Sequence, residues 1–142
     1  MVVVPDASVI LKWVLQKDTE ADHGAAFRLL ADYQAEAIDI CLPTLWRYEV
    51  GNILGLKHPE SADEAMRALL AYEFREEPLH QEYCLAVLRF MKDIRRVSFY
   101  DAAYHALAIR TGGIYVTADA EYARQARSKR HLRLLSEWET AP

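Results

Sequence analysis

Residues 2–13 read VVVPDASVILKW, and this segment establishes the type of fold. Its three β-branched valines predict a short strand buried in a parallel sheet. Pro5 and Asp6 end this strand, and Ser8 follows at the start of a helix predicted to run to Gln16. Because a strand passes here directly into a helix, the segment is typical of an α/β unit, with Asp6 at the carboxyl end of its strand.

Strands and helices alternate along the rest of the chain. Further strands are predicted over 37–42, 114–116 and 132–135, and helices over 19–34, 44–57, 61–74, 82–95 and 98–110, with a short extended piece before residue 82 and another helix opened by Asp119. This alternation predicts an α/β fold, built as an α/β/α sandwich with a mostly parallel central sheet. With no repeat or linker in the sequence, we predict one domain over residues 1–142.

The composition describes an ordinary globular domain with an uneven distribution of charge. The chain has 142 residues, 52% of them hydrophobic, which is enough to bury a core without disulfides or a structural metal. Its formal net charge of −4 argues against binding of nucleic acid by bulk charge alone. Residues 18–82 carry a net −9 and residues 89–133 a net +6, which indicates either two surfaces for different partners or only two solvated faces.

The cysteines and the hydropathy pattern indicate where in the cell the protein is expected. Cys41 and Cys84 lie far apart in apolar segments and show no zinc-binding spacing, which predicts reduced thiols in a cytoplasmic protein. No segment approaches the roughly 18 continuous apolar residues of a membrane-spanning helix. We therefore expect no membrane partner.

Three carboxylates are predicted at one edge of the sheet. Asp6 and Asp119 each follow a strand, and Asp101 lies in the first turn of a helix that is apolar almost all round. Each also has a purely structural interpretation, because Asp-x-Ser, Ser98 with Asp101, and a strand-end Asp all suit helix capping. The two roles are compatible.

Glu49 is a fourth carboxylate, and helical spacing places it on an apolar face. That face is predicted to contain Leu45, Trp46, Ile53 and Leu56, with Asn52 at its edge. An unpaired buried carboxylate is costly, so Glu49 must take up a proton, form an ion pair or bind a cation. Clustered carboxylates without a Cys or His motif suit Mg²⁺ or Mn²⁺, which can activate water and hold a phosphodiester.

Four short motifs, in this order, resemble those of PIN-domain ribonucleases, specifically the VapC-like toxins of type II toxin–antitoxin systems. They are VVVPDASVILKW at residues 2–13, Glu49 with Asn52 three residues later, SFYDAAYHALA at residues 98–108, and Thr117-Ala118-Asp119. The resemblance covers essentially the whole chain. The first and third motifs are fairly specific, whereas Thr-x-Asp alone has no diagnostic value.

The resemblance implies a PIN-like fold and an Mg²⁺- or Mn²⁺-dependent endoribonuclease that hydrolyses RNA, forms a homodimer and is inhibited by a small antitoxin protein. It implies that Asp6, Glu49, Asp101 and Asp119 are the catalytic and metal-binding residues, with Asp6 and Asp101 as the firmest ligands. The same resemblance makes Ser8, Asn52 and Thr117 residues that orient the carboxylates or water.

Two other functions fit parts of the sequence. One is a catalytically silent PIN-like module that binds nucleic acid or protein; the presence of all four carboxylates argues against it. The other is a phosphatase with Asp6 as nucleophile, but Ser8 stands where such enzymes usually have a second Asp.

Several other residues attract attention without belonging to the motifs. We expect His105 to be structural or to face substrate rather than to bind metal. Arg124, Arg127, Lys129, Arg130 and Arg133 form a basic run that is either a solvated face or an RNA contact. An antitoxin helix is expected over the apolar surfaces of the second to fourth helices.

Overall fold

The structure is a computed structural model that describes residues 1–15 and 22–139. Within these residues, the strands are β1 (Val2–Pro5), β2 (Asp39–Pro43), β3 (Arg75–Glu77), β4 (Ile114–Thr117) and β5 (Leu132–Leu134). The helices are α1 (Ala7–Lys12), α2 (His23–Gln34), α3 (Trp46–Lys57), α4 (Ala62–Leu70), α5 (Gln81–Asp93), α6 (Phe99–Thr111) and α7 (Ala120–Gln125), followed by a 3₁₀ turn over Leu135–Glu137.

The five strands form one sheet in the order β3-β2-β1-β4-β5, and every pairing between them is parallel. The chain builds the sheet outward from β1 to β2 and β3, then crosses back to add β4 and β5 on the other side. The strand order therefore reverses between β1 and β4, and a crevice at the carboxyl ends of the strands opens at such a reversal. The predicted α/β fold with a parallel central sheet flanked by helices is confirmed.

Helix α6 packs across β1, β2 and β4, and its residues 102–108 are all buried, as the apolar sequence predicted. It ends at Gly112, which adopts the left-handed conformation with φ of 68°. At Gly113, a Cβ atom would lie only 2.4 Å from the carbonyl oxygen of Val2. The two glycines therefore let the chain turn tightly from α6 into β4 beside β1.

The main differences from the predicted elements lie between α4 and α5. The helix predicted to reach residue 74 ends at Leu70, and Glu73 has a positive φ of 52° that is incompatible with a continuing helix. The extended piece is Arg75–Glu77, ahead of Pro78, and it pairs with β2 at the edge of the sheet. Gln16 and residues 19–21, where helix boundaries were predicted, lie outside the described residues.

No helix in the described ranges is both long and apolar enough to cross a membrane. Cys41 is buried and Cys84 partly buried, and neither forms a disulfide.

Candidate functional site

Asp6 is the most extensively hydrogen-bonded carboxylate at the carboxyl edge of the sheet. It caps α1, where its Oδ1 accepts hydrogen bonds from the backbone N–H groups of Ser8 and Val9 and from Ser8 Oγ at 3.0, 3.3 and 2.5 Å. Its Oδ2 accepts from Tyr115 Oη at 2.8 Å and Thr117 Oγ1 at 2.5 Å. With an exposed fraction of 6%, Asp6 is a buried carboxylate held rigidly by five donors.

Thr117 connects this carboxylate to the next strand. While its hydroxyl donates to Asp6, its oxygen accepts a 3.1 Å hydrogen bond from the backbone N–H of Asp119. Asp6 and Thr117 come together because β1 and β4 are paired with Pro5 opposite Val116. Ser8 and Thr117 thus contact Asp6, which is the arrangement that their predicted orienting role requires.

Asp101 and Asp119 lie at the starts of two helices that face the same edge. Ser98 Oγ caps α6 by accepting from the backbone N–H of Asp101 at 3.1 Å, and Asp119 Oδ1 caps α7 by accepting from Tyr122 N–H at 3.0 Å. The capping roles expected from the sequence are therefore real. Both carboxylates also line one cleft of about 280 Å³, to which Arg96 contributes a positive charge.

Glu49 reaches the same region from α3, but not from the centre of an apolar face. The buried residues of α3 are Trp46, Val50 and Leu54. The prediction that Leu56 belongs to the core face is wrong, since its side chain is 75% exposed. Glu49 therefore lies beside the core face, where its Oε1 is buried and has no hydrogen-bond partner in the described part of the chain.

The hydroxyl of Tyr104 lies beside the Glu49 carboxylate. Its side chain is 1% exposed, and its hydroxyl faces the Glu49 carboxylate without making a hydrogen bond of regular geometry to any described residue. The Glu49 carboxylate and the Tyr104 hydroxyl therefore lie next to each other, and neither Glu49 Oε1 nor Tyr104 Oη makes a hydrogen bond of regular geometry to a described residue. Such groups in a folded protein indicate a place that accepts water, an ion or a ligand atom.

The carboxylates influence one another electrostatically. Burial raises the pKa of Asp6, although its hydrogen-bond donors oppose this effect. Burial also raises the pKa values of Glu49 and Asp101, and the negative charge of Asp6 raises both further. The ionised cluster is therefore strained at neutral pH, and a bound cation or proton would relieve the repulsion.

The fit of this site to a divalent cation has two aspects. In residues 1–15 and 22–139, no three His, Cys, Asp or Glu side chains are arranged as a group that could hold a metal ion. Both oxygens of Asp6 are already occupied by protein donors. The chemistry of the donors nevertheless suits Mg²⁺ or Mn²⁺, because they are carboxylates that repel one another and Glu49 Oε1 makes no hydrogen bond of regular geometry to a described residue.

Asn52 is the predicted site residue that the structure does not bring to the carboxylates by hydrogen bonding. It is exposed and lines a separate cleft of about 530 Å³ together with Tyr48, Glu49, Ile53 and Tyr100. Glu49 thus borders both the carboxylate cluster and this second cleft.

Tyr115 is a site residue that the sequence interpretation missed. Its hydroxyl donates directly to Asp6, and its ring stacks against that of Tyr104 with centroids 6.2 Å apart. Alternation along a strand could have identified it, because residues 115 and 117 of β4 point to the same face and Thr117 was already placed at the site.

His105 is a structural residue, one of the two roles expected for it. Its side chain is fully buried, with Nδ1 2.8 Å from Tyr122 Oη and Nε2 2.8 Å from the carbonyl oxygen of Arg130. Because a carbonyl can only accept, Nε2 carries the proton and Nδ1 accepts from the tyrosine. Burial lowers the pKa of His105 to about 4, so the ring is neutral at physiological pH.

All residues of the basic run except Arg130 line a cleft on another side of α7. This cleft has a volume of about 430 Å³ and contains Arg124, Arg127, Lys129 and Arg133. Lys129 Nζ pairs with Asp93 at 2.9 Å, and the Arg133 guanidinium lies over the ring of Trp138. Arg127 is exposed at this surface. Four cationic side chains of the basic run thus line the same cleft, instead of being spread evenly over a solvated helix face.

Solved structures with a similar fold include a toxin and two DNA-bound proteins. VapC20 of Mycobacterium tuberculosis, a sarcin–ricin-loop-cleaving toxin, is 20% identical with a TM-score of 0.65, covering 86% of this chain and 93% of that one. VapBC2 of Rickettsia felis, bound to a promoter DNA fragment, is 12% identical with a TM-score of 0.67, covering 94% and 97%. FitAB, bound to a DNA fragment, is 15% identical with a TM-score of 0.65, covering 99% of each chain.

A comparison with curated proteins gave no significant match. A family model gives a direct result, because the model described as PIN domain matches residues 3–128. This match spans the sheet from β1 to β4 and includes all four carboxylates. The chain belongs to the PIN-domain family.

Proposed function

We propose that this protein is an Mg²⁺- or Mn²⁺-dependent endoribonuclease that hydrolyses RNA phosphodiester bonds, and that it is the toxin of a toxin–antitoxin pair. The observation that supports the proposal is the closeness of Asp6, Glu49 and Asp101 at the reversal of strand order, where burial raises the pKa values of all three and the charge of Asp6 raises those of Glu49 and Asp101 further. The proposal includes a single domain over residues 1–142, a cytoplasmic location and a homodimer.

The protein residues have separable tasks in this reaction. Asp6, Glu49, Asp101 and Asp119 would hold the cation, which when bound polarises the phosphodiester and makes a coordinated water more acidic. Ser8, Thr117 and Tyr115 fix the orientation of the Asp6 carboxylate through hydrogen bonds. The same contacts argue against Asp6 as a phosphatase nucleophile, since both its oxygens are engaged and its side chain is buried.

The toxin role and the antitoxin partner rest on fold similarity to VapC20, VapBC2 and FitAB. The structure adds a compatible surface, because Phe27 on α2 and Leu56 on α3 are exposed apolar side chains in the region predicted to receive an antitoxin helix.

The proposal is tested with purified protein and a mixture of synthetic single-stranded RNAs. Internal cleavage is expected with Mn²⁺ or Mg²⁺ and should disappear when EDTA is added. The Asp101→Asn variant, purified identically, excludes a contaminating nuclease. RNA that remains intact with every divalent ion, while the protein still binds it, would instead support the catalytically silent module.

Tyr115→Phe is expected to reduce metal-dependent cleavage by roughly 10- to 100-fold, the usual cost of losing a residue that orients a ligand. Tyr83→Phe is the matched control. Its hydroxyl donates to the carbonyl oxygen of Ala103 at 2.5 Å and does not contact the carboxylates. Both variants should lose about 1 kcal/mol of stability, but only Tyr115→Phe should lose activity. Equal activities would show that Tyr115 does not position Asp6.

Arg127→Gln is expected to weaken RNA binding to a similar extent for all sequences. If Arg127 contacts one phosphate, the slope of log affinity against log salt should fall by about 0.7, the value for single strands. Filter binding in EDTA from 50 to 300 mM salt measures this slope. Arg67→Gln, an exposed arginine of α4 paired with Asp63, is the control. If the slope for Arg127→Gln is the same as for wild type, the RNA does not contact the basic cleft through Arg127.

A further inference from the structure

Two exposed tyrosines flank the cleft beside Glu49. Tyr48 is 80% exposed and Tyr100 is 58% exposed, although tyrosine normally buries most of its ring. Each immediately precedes a carboxylate of the cluster, since Glu49 follows Tyr48 and Asp101 follows Tyr100. The backbone that positions the carboxylates therefore also presents the two rings at the mouth of the site.

The rest of this cleft combines an apolar wall with a polar edge. Its lining is completed by Ile53 and Asn52, which lie on the same helix as Tyr48. The Asn52 amide has two donors and an acceptor, and it makes no hydrogen bond to a described residue. The volume of the cleft, about 530 Å³, lies within the ordinary range for small-molecule sites, roughly 300–1,000 Å³.

These features match the requirements of an unpaired nucleobase. Single-stranded nucleic acids are bound by stacking bases on aromatic side chains, and base identity is read through hydrogen bonds to the exposed base edge. Tyr48 and Tyr100 supply the faces, and Asn52 supplies a donor and an acceptor for an edge. Because Glu49 belongs to both the carboxylate cluster and this cleft, a base bound in the cleft would lie beside a phosphodiester held at the carboxylates.

We propose that the cleft between Tyr48 and Tyr100 is a nucleobase-binding subsite that holds an unpaired base of single-stranded RNA next to the reacting phosphodiester. The proposal rests on the ribonuclease function proposed above and adds a recognition element to it. It also gives Asn52 a different task, which is contact with the base edge instead of orientation of a carboxylate.

RNA is a better occupant than a partner helix for a reason visible in the lining. A helix groove needs a continuous apolar strip, whereas this cleft is bordered by the Glu49 carboxylate and the exposed Asn52 amide. The cleft is also continuous with the carboxylate cluster through Glu49, which belongs to both.

The test measures binding in EDTA, where no cleavage occurs, with fluorescein-labelled 12-nucleotide oligoadenylate and an abasic ribose-phosphate 12-mer. Tyr48→Leu and Tyr100→Leu are each expected to weaken oligoadenylate binding by roughly 5- to 100-fold, the range for loss of one stacked base. Tyr48→Phe and Tyr100→Phe keep the ring and should bind like wild type. Phe27→Leu removes an exposed aromatic on α2 and is the matched control.

The abasic ligand separates base stacking from other effects. Its binding should be the same for wild type and both Leu variants. If the Leu variants bind oligoadenylate as wild type does, or lose both ligands equally, the subsite is overturned. An RNA labelled with 4-thiouridine should also crosslink on irradiation to peptides containing Tyr48 or Tyr100, and crosslinks found only elsewhere would equally contradict it.

The two proposals fail in different ways. A protein that binds oligoadenylate through the tyrosines but never cleaves RNA with Mn²⁺ overturns the ribonuclease function and leaves the base subsite. A protein that cleaves RNA while Tyr48→Leu and Tyr100→Leu bind normally overturns the subsite alone. Wild-type protein that neither binds nor cleaves single-stranded RNA overturns both.

Discussion

Asp101→Asn is expected to abolish RNA cleavage with Mn²⁺ while making the metal-free protein more stable. The loss should exceed the roughly 10- to 100-fold that follows from losing an orienting residue, because Asp101 is proposed to hold the ion itself. Cleavage of a fluorescent RNA measures the activity. Growth of cells expressing the protein without an antitoxin gives a second measurement, since only wild type is expected to arrest it.

The gain in stability follows from the electrostatics of the cluster. Burial, together with the charges of Asp6 and Asp119, raises the pKa of Asp101, so its ionised form disfavours the folded state at neutral pH. Asparagine keeps the shape and removes the charge. In EDTA the variant should therefore melt a few degrees above wild type, which calorimetry or fluorescence can detect.

Adding Mn²⁺ should reverse this order of stability. At 100 times its dissociation constant, an ion that binds only the folded state stabilises it by about 2.7 kcal/mol. Wild type should gain this amount and Asp101→Asn much less. Glu121→Gln is the control, because Glu121 lines the same cleft but lies outside the carboxylate cluster. If Mn²⁺ stabilises both proteins equally, Asp101 does not hold the ion.

The second large effect is loss of stability in acid caused by His105. The pKa of His105 is about 4 in the folded protein, and the ordinary value of 6.5 applies when the chain is unfolded. Because its pKa is lower in the folded protein, His105 contributes to the free energy of unfolding fully above pH 6.5, and this contribution is lost as the pH falls towards 4. The difference between the two pKa values corresponds to a free energy of unfolding of about 3 kcal/mol.

Denaturant unfolding between pH 7.5 and pH 4 measures this contribution when wild type is compared with His105→Gln. The comparison is necessary because Asp6, Glu49 and Asp101 have raised pKa values and act in the opposite direction. The His105→Gln variant should be less stable than wild type at pH 7.5, but its stability should fall by less than that of wild type when the pH is lowered to 4. NMR gives a direct control: a His105 ring that titrates near pH 6.5 in the folded protein would contradict the prediction.

The parts of the site that depend on local sequence were predictable. A β-branched strand followed by Asp-x-Ser identified Asp6, Ser8 and the first α/β unit, because strand, turn and cap involve neighbouring residues. Gly112 identified the end of α6 for the same reason, since few other residues accept its positive φ.

The parts that depend on packing were not predictable to the same degree. Helical periodicity identified Glu49 as unusual and correctly placed Leu45, Trp46 and Ile53 against the core. It wrongly added Leu56, because neighbouring helices and not hydrophobicity alone decide how far along α3 the core extends. Strand β3 has the polar sequence Arg-Glu-Glu and forms because β2 offers an unpaired edge. Alternation along β4 puts Tyr115 on the same face as Thr117, but its contact with Asp6 depends on the pairing of β1 with β4.

The contact between Asp6 and Thr117 joins residues 111 positions apart. During synthesis, β4 must therefore emerge from the ribosome before the acidic centre can be assembled. A nascent or truncated polypeptide that ends before β4 contains Asp6, Glu49 and Asp101 but lacks the strand that completes their arrangement. The order of elements along the chain thus delays any activity of this centre until β4 has been synthesised and has left the ribosome.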